Sequence, residues 1–229
     1  MRRKLFFAMI CVIVFSSGLS GPAPTPGSTA PLSDIYMIDD FEDGTYDTNP
    51  IWWKFDNIKL QIVNNTAYQY GEPAVIKETG KYSLNIAGSA RDWYAGGMGT
   101  YIAKKGVDLS KYNTFSFDVF GNGPGSGTIN IELVDDDKGN WQVEQDSKGV
   151  PLYDDKFVYS QIVDWRGWKK IQVPLADFNL VNPGRGDGVL DLSQRNGGGG
   201  LLTLQLIFIA PKQVGSLKYN IDNVALIKK

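Results

Sequence analysis

Thr114-Phe115-Ser116-Phe117-Asp118-Val119-Phe120 decides the fold class of this 229-residue chain. Its side chains alternate with period two. In an extended strand Phe115, Phe117 and Val119 therefore share one face, and Ser116 and Asp118 the other. Thr128-Ile129-Asn130-Ile131-Glu132-Leu133 repeats the pattern, and Ile171 with Val173, residues 202–209 and residues 219–226 give three further strands. The connections carry strand-turn chemistry: Gly121-Asn122-Gly123-Pro124-Gly125-Ser126-Gly127 and Asn196-Gly197-Gly198-Gly199-Gly200. No helical periodicity runs longer than about two turns. Many short strands joined by Gly-rich loops specify an all-β chain, folded as two sheets around one core.

Toward the N-terminus the pattern stops. Arg2-Arg3-Lys4, an apolar run from Leu5 to Phe15 and small residues to Ser20 read as a secretory signal over residues 1–20, the apolar run being about half the roughly 20 residues of a membrane span. Residues 21–32, with four prolines in 21–31, form a Pro-rich linker, and residues 33–229 one β-sandwich domain. The expected location is secreted, extracellular or periplasmic, with no membrane insertion once the signal is cleaved.

Composition narrows the chemistry. There are 23 Lys+Arg against 25 Asp+Glu, no His, and one Cys, Cys11, which lies inside the signal. Ser/His/Asp and Cys/His nucleophilic sites and His-ligated zinc are excluded, so a hydrolase here would have to use two carboxylates. Cleavage removes three positive charges from a net −2, leaving −5, which disfavours a nucleic-acid partner. Aromatics make up 12% of the chain, with six Trp. Phe115, Phe117 and Phe208 fall on the apolar phase of their strands and read as core. Trp52-Trp53 after Asn49-Pro50, Trp93-Tyr94, Trp141 and Tyr153 lie instead among carboxylates, amides and Arg. Each ring alone is as well explained by pinning a loop. Together they suit a sugar, whose C–H face stacks on rings while its hydroxyls bond to polar side chains.

These stretches form an ordered series that resembles family 11 carbohydrate-binding modules. It comprises Ile38-Asp39-Asp40-Phe41-Glu42, Thr79-Gly80-Lys81-Tyr82-Ser83-Leu84, residues 109–118, Phe157-Val158-Tyr159-Ser160, residues 168–175, and Asn220-Ile221-Asp222-Asn223-Val224-Ala225-Leu226. The resemblance implies a galactose-binding-like β-sandwich jelly roll, a structural Ca²⁺, and a groove on a concave sheet for β-glucan chains. It places the metal at Asp40, Glu42, Asp222 and a carbonyl of the Gly80-Lys81 turn. Two carboxylates two residues apart on a strand would point the same way, and hard oxygens suit Ca²⁺. Alternatively, Asp39, Asp40 and Glu42 are a solvated strand end. Asp135-Asp136-Asp137 lacks the spaced ligands of an EF-hand and reads as an exposed turn.

By position, the resemblance sets Trp53, Trp93, Tyr94, Tyr153, Asp154, Arg185 and Asp187 near the sugar. Asn130 and Glu132 join them if the core lies on the Ile129/Ile131 side. One departure is Ile209, beside Ile207, where the family carries a platform Tyr. Another is the long segment 135–155, which could reshape or cover the groove. Three functions follow from these features: a non-catalytic carbohydrate-binding module; an extracellular assembly protein that binds a partner enzyme or surface protein; and a small glycosidase pairing Glu132 with Glu144 or Asp154.

Overall fold

The computed structural model describes residues 34–65 and 80–229; the signal, the linker and Thr79 lie outside them. In chain order the strands are β1 (Ile35–Asp39), β2 (Trp53–Asp56), β3 (Ile58–Asn64), β4 (Tyr82–Ala90), β5 (Tyr94–Tyr101), β6 (Thr114–Asn122), β7 (Gly127–Asp135), β8 (Lys156–Val163), β9 (Arg166–Pro174), β10 (Asn179–Leu180), β11 (Leu201–Ile209) and β12 (Gly215–Ile227). They form two six-stranded antiparallel sheets. The first runs β3-β4-β12-β6-β9, with β1 also paired to β12; the second runs β10-β8-β7-β11-β5-β2.

The core lies between the sheets. Phe115, Phe117 and Val119 of β6 and Leu84 and Ile86 of β4 supply one side, and Ile129, Ile131 and Leu133 of β7 and Leu204, Leu206 and Phe208 of β11 the other; all are fully buried. The last strand shows how sequence parity becomes geometry. Tyr219 and Ile221 face the core at odd positions, and Val224 and Leu226 at even ones. A register shift between Asp222 and Ala225, with Asn223 at φ 48°, takes up the extra residue. Asn tolerates the left-handed region better than most residues, so the bulge costs little there.

Ser116 and Asp118 are on the face of β6 away from the Phe ladder, as the alternation places them, and both are buried. β6 sits between β12 and β9, and the Asp118 carboxylate accepts from Asn223 Nδ2 at 3.0 Å while Lys170 Nζ lies 3.4 Å away. One expectation needs correction: residues 40–42 are not strand, since β1 ends at Asp39 and Phe41 at φ 54° turns the chain. That turn seats the Phe41 ring in the core beside Trp52, centroids 6.4 Å apart, and frees Glu42 to reach another loop. Trp52 is therefore a core residue, its indole Nε1 donating to Asp39 Oδ2 at 2.7 Å.

Candidate functional site

The outer face of the second sheet carries a groove of about 540 Å³, a size typical of ligand clefts. Two cross-strand rows, fixed by register, cross this face of the sheet. One runs Ser160, Asn130, Ile207, Gly97, Phe55 across β8, β7, β11, β5 and β2; the next runs Val158, Glu132, Gln205, Gly99, Trp53. With Ile129 and Ile131 in the core, Asn130 and Glu132 are on the groove side, as period two requires.

Gly97 and Gly99 let the rings lie down. A Cβ at Gly99 would come within 2.6 Å of Trp53 Cζ2, and one at Gly97 within 2.6 Å of Phe55 Cε2 and 2.8 Å of Ile207 Cδ1. The missing side chains on β5 are filled by aromatic rings from the edge strand β2. Tyr101, more than half exposed, extends this surface with its ring 5.3 Å from that of Trp53. Tyr94 lines the opposite end, its hydroxyl donating to Asp56 Oδ2 at 2.5 Å. Burial, and then that carboxylate, push the phenol pKa up.

The polar wall is built from β7, β8 and the 135–155 segment. Glu132 and Lys156 form an ion pair inside the groove, and Gln145, Lys148 and Gly149 close the side. Asp146 accepts from the Lys148 and Val150 amides at 2.8 and 3.0 Å, which folds residues 145–151 into a tight turn. The long segment thus walls the groove and leaves its volume open.

The residues anticipated from sequence divide accordingly. Trp53, Tyr94 and Glu132 line the groove, and Asn130 is on the same face outside the lining, accepting from Ser160 Oγ at 2.8 Å. Trp93 is half exposed in the β4–β5 turn at φ 63°, its amide bonded to Gln213 O, and is not among the groove-lining side chains. Tyr153 is exposed under Lys138 Nζ, 4.1 Å from the ring centroid, also away from the lining. Asp154 is fully buried and accepts from the Lys138 amide, so it presents no oxygen to the groove. Arg185 and Asp187 are exposed on the loop after β10, where Asp187 borders a separate acidic cavity. Sequence reading missed Phe55, Tyr101, Gln205 and Lys156. The Trp53-Lys54-Phe55 alternation and the Gly97-Met98-Gly99 spacing were the available signals.

Glu132 is the one carboxylate among the described residues lining the groove. Neither Glu144, held by Lys138 and Asn140, nor Asp154, which is buried, is among the residues lining the groove with Glu132.

The anticipated metal residues also part. Glu42 Oε1 accepts the Lys81 and Tyr82 amides, both at 2.8 Å, and a Cβ at Gly80 would approach that oxygen to 2.5 Å. Asp222 is fully buried; Asn65 Nδ2 lies 3.4 Å from its Oδ2 and 3.3 Å from Gly80 O. Burial, and then the charges of Asp118 and Glu42, push the Asp222 carboxyl up to about 9. The Lys81 carbonyl accepts the Asn65 amide, and Asp40 caps the Glu42 amide at 3.2 Å. The Glu42 and Asp222 carboxylates lie close enough to interact, beside the Gly80 and Lys81 carbonyls that accept from Asn65, and carboxylate and carbonyl oxygens are the ligands a hard divalent cation takes. Asp40 belongs to the turn that aims Glu42.

A two-sheet sandwich with a ring-lined groove across one outer face defines the class of β-sandwich carbohydrate-binding modules. The chain belongs to the carbohydrate binding domain family 11, whose model matches residues 21–228. Among solved structures it is similar to the family 11 module from Clostridium thermocellum in complex with a β-1,3-1,4-mixed-linked tetrasaccharide. That match has 22% identity and a TM-score of 0.50, and covers 84% of this chain and 95% of that one. It is also similar to the family 11 module of a cellulosomal cellulase of the same organism, with 21% identity, 85% and 95% coverage and a TM-score of 0.49. No curated protein matches the chain.

Proposed function

We propose that the protein is a secreted, non-catalytic module that holds a β-glucan-type polysaccharide along the β2-β5-β11-β7-β8 face, with Ca²⁺ as a structural ion at Glu42 and Asp222. The observation that carries the reading is the pair of rings, Trp53 and Phe55, laid over Gly99 and Gly97 beside Gln205, Glu132 and Lys156. Flat apolar faces next to fixed donors and acceptors match a glucan, which offers C–H faces and equatorial hydroxyls. Family membership supports the same class of ligand, and a family 11 relative was solved with a mixed-linked β-glucan tetrasaccharide.

Affinity electrophoresis in gels containing mixed-linkage β-glucan, xyloglucan or cellulose derivatives tests the groove. Retardation by a β-glucan, abolished in Trp53→Ala, is the expected result. A protein that migrates freely in all of them refutes the reading and favours the assembly-protein alternative. The ion is tested separately, because a ligand bound only by the native state raises its melting temperature. EDTA should lower the Tm of the wild type, and this response should shrink in Glu42→Gln.

A further inference from the structure

We propose that Asp135, Asp137 and Asp155 form a second divalent-cation site, suited to Ca²⁺, which fastens both ends of the 135–155 segment to the sandwich. One oxygen from each of these carboxylates lies within 4.8 Å of the others. Asp135 closes β7 and Asp155 immediately precedes β8, so an ion held between them sits at the base of the segment that walls the groove.

Three further observations point to a ligand. Asp135 is 1% exposed, and its Oδ1 has no hydrogen-bond partner among the described residues, while Oδ2 accepts the Asp191 amide at 2.8 Å. A buried carboxylate oxygen without a donor is costly unless a cation satisfies it. The backbone also approaches the cluster closely: a Cβ on Gly186 would overlap Asp137 Oδ2 and lie 2.6 Å from Asp155 Cγ, so only glycine lets both carboxylates pack there. Finally, a cavity of about 310 Å³ opens beside Asp135, Asp137, Asp187 and Asp191.

Neighbouring groups leave the negative charge largely in place. Asp155 accepts the Gly186 and Gly188 amides, and Asp137 accepts the Asp155 amide at 2.9 Å. Lys138 borders the cavity, but its ammonium is engaged by Glu144 and lies over Tyr153. Arg195 is at the rim, exposed. Ca²⁺, which takes six to eight oxygens in flexible geometry, accommodates three carboxylates together with water or carbonyl groups. An ion at this position also cross-links a loop of about 20 residues, whose ordering it then drives.

The test is calorimetric titration of the chelator-treated full-length protein with Ca²⁺, comparing the wild type with Asp137→Asn, Gly186→Ala and Glu42→Gln. The expected result is one bound ion fewer in Asp137→Asn and in Gly186→Ala, with this site retained in Glu42→Gln. Trypsin cleavage after Lys148 should slow at least fivefold on adding Ca²⁺ to the wild type and to Glu42→Gln, with no change in Asp137→Asn. If Asp137→Asn and Gly186→Ala bind as many ions as the wild type, the proposal is overturned even where Glu42→Gln has lost its own ion. Should both variants unfold, hydrogen exchange of the wild type decides: Ca²⁺ must slow exchange across 137–155, and unchanged exchange rejects the site.

Discussion

Trp53 lies across Gly99, its neighbour on the adjacent strand, so closely that a Cβ at position 99 would stand 2.6 Å from Cζ2 of the indole and 2.9 Å from Cγ of Gln205. The glycine therefore shapes the groove surface although it has no side chain. Gly99 is not in the left-handed region, so alanine is compatible with its backbone, and the conflict falls on the rings. Gly99→Ala should keep the fold and Tm within a few degrees while weakening polysaccharide retardation by roughly tenfold, about 1.4 kcal/mol. Gly97→Ala, which meets Phe55 and Ile207, should act in the same direction. Undiminished binding in both variants would show that these rings do not contact the glycan.

Buried acids set the pH response of the metal-free protein. Asp39 and Asp154 are raised to about 6 by burial, Asp135 to about 8 and Asp222 to about 9. Each folded-state pKa lies above the ordinary value of 3.8, so each group binds its proton more tightly in the native state. The associated stability is fully present below about pH 4 and is lost as pH rises through 6 to 9. In EDTA the Tm should therefore fall between pH 5.5 and 8.5. Saturating Ca²⁺ should flatten or reverse the slope, since ion binding requires the ionised carboxylates. A Tm that climbs with pH in the chelated protein would contradict this assignment.

Lys156 and Glu132 are paired with side chains only 18% and 12% exposed. Removing one partner of such a pair leaves the other charge poorly solvated, a loss of roughly 2 kcal/mol at this partial burial. Lys156→Met should lower stability by about that amount in urea unfolding, and Glu132→Gln/Lys156→Met together by less than the sum of the two single changes. Strict additivity would mean the two side chains do not interact in solution.

Most of the architecture was legible in the sequence because it rests on local periodicity. The alternation in 114–120 and 128–133 placed Phe115, Phe117, Ile129 and Ile131 in the core, and with them Asn130 and Glu132 on the opposite face. The parity change between Ile221 and Val224 also carried the bulge at Asn223. What escaped depends on partners distant in the chain. Asp135 and Asp155 resemble exposed loop acids until amides from Asp191, Gly186 and Gly188 close around them. Phe55 was hidden because β2 has only four residues, too few for alternation to be decisive. Gly97 and Gly99 act through atoms they lack, and composition cannot show which rings will fill that space.

Tyr219 offers a test of the core itself. It is fully buried between the sheets, its ring 5.8 Å from that of Phe208, and its hydroxyl has no hydrogen-bond partner among the described residues. Burial alone pushes its pKa well above the ordinary phenol value. An unsatisfied buried hydroxyl costs roughly 1–3 kcal/mol of desolvation, whereas the ring contributes packing that phenylalanine retains. The small void left by the oxygen offsets part of the gain. Tyr219→Phe should consequently be neutral or up to about 1 kcal/mol more stable in urea unfolding. Tyr219→Leu, which removes the edge contact with Phe208, should be at least 2 kcal/mol less stable. A loss above 1 kcal/mol in Tyr219→Phe would demonstrate that the hydroxyl is satisfied in solution, for instance by a buried water at the β7–β12 contact, where a Cβ on Gly127 would lie 3.6 Å from the Tyr219 ring.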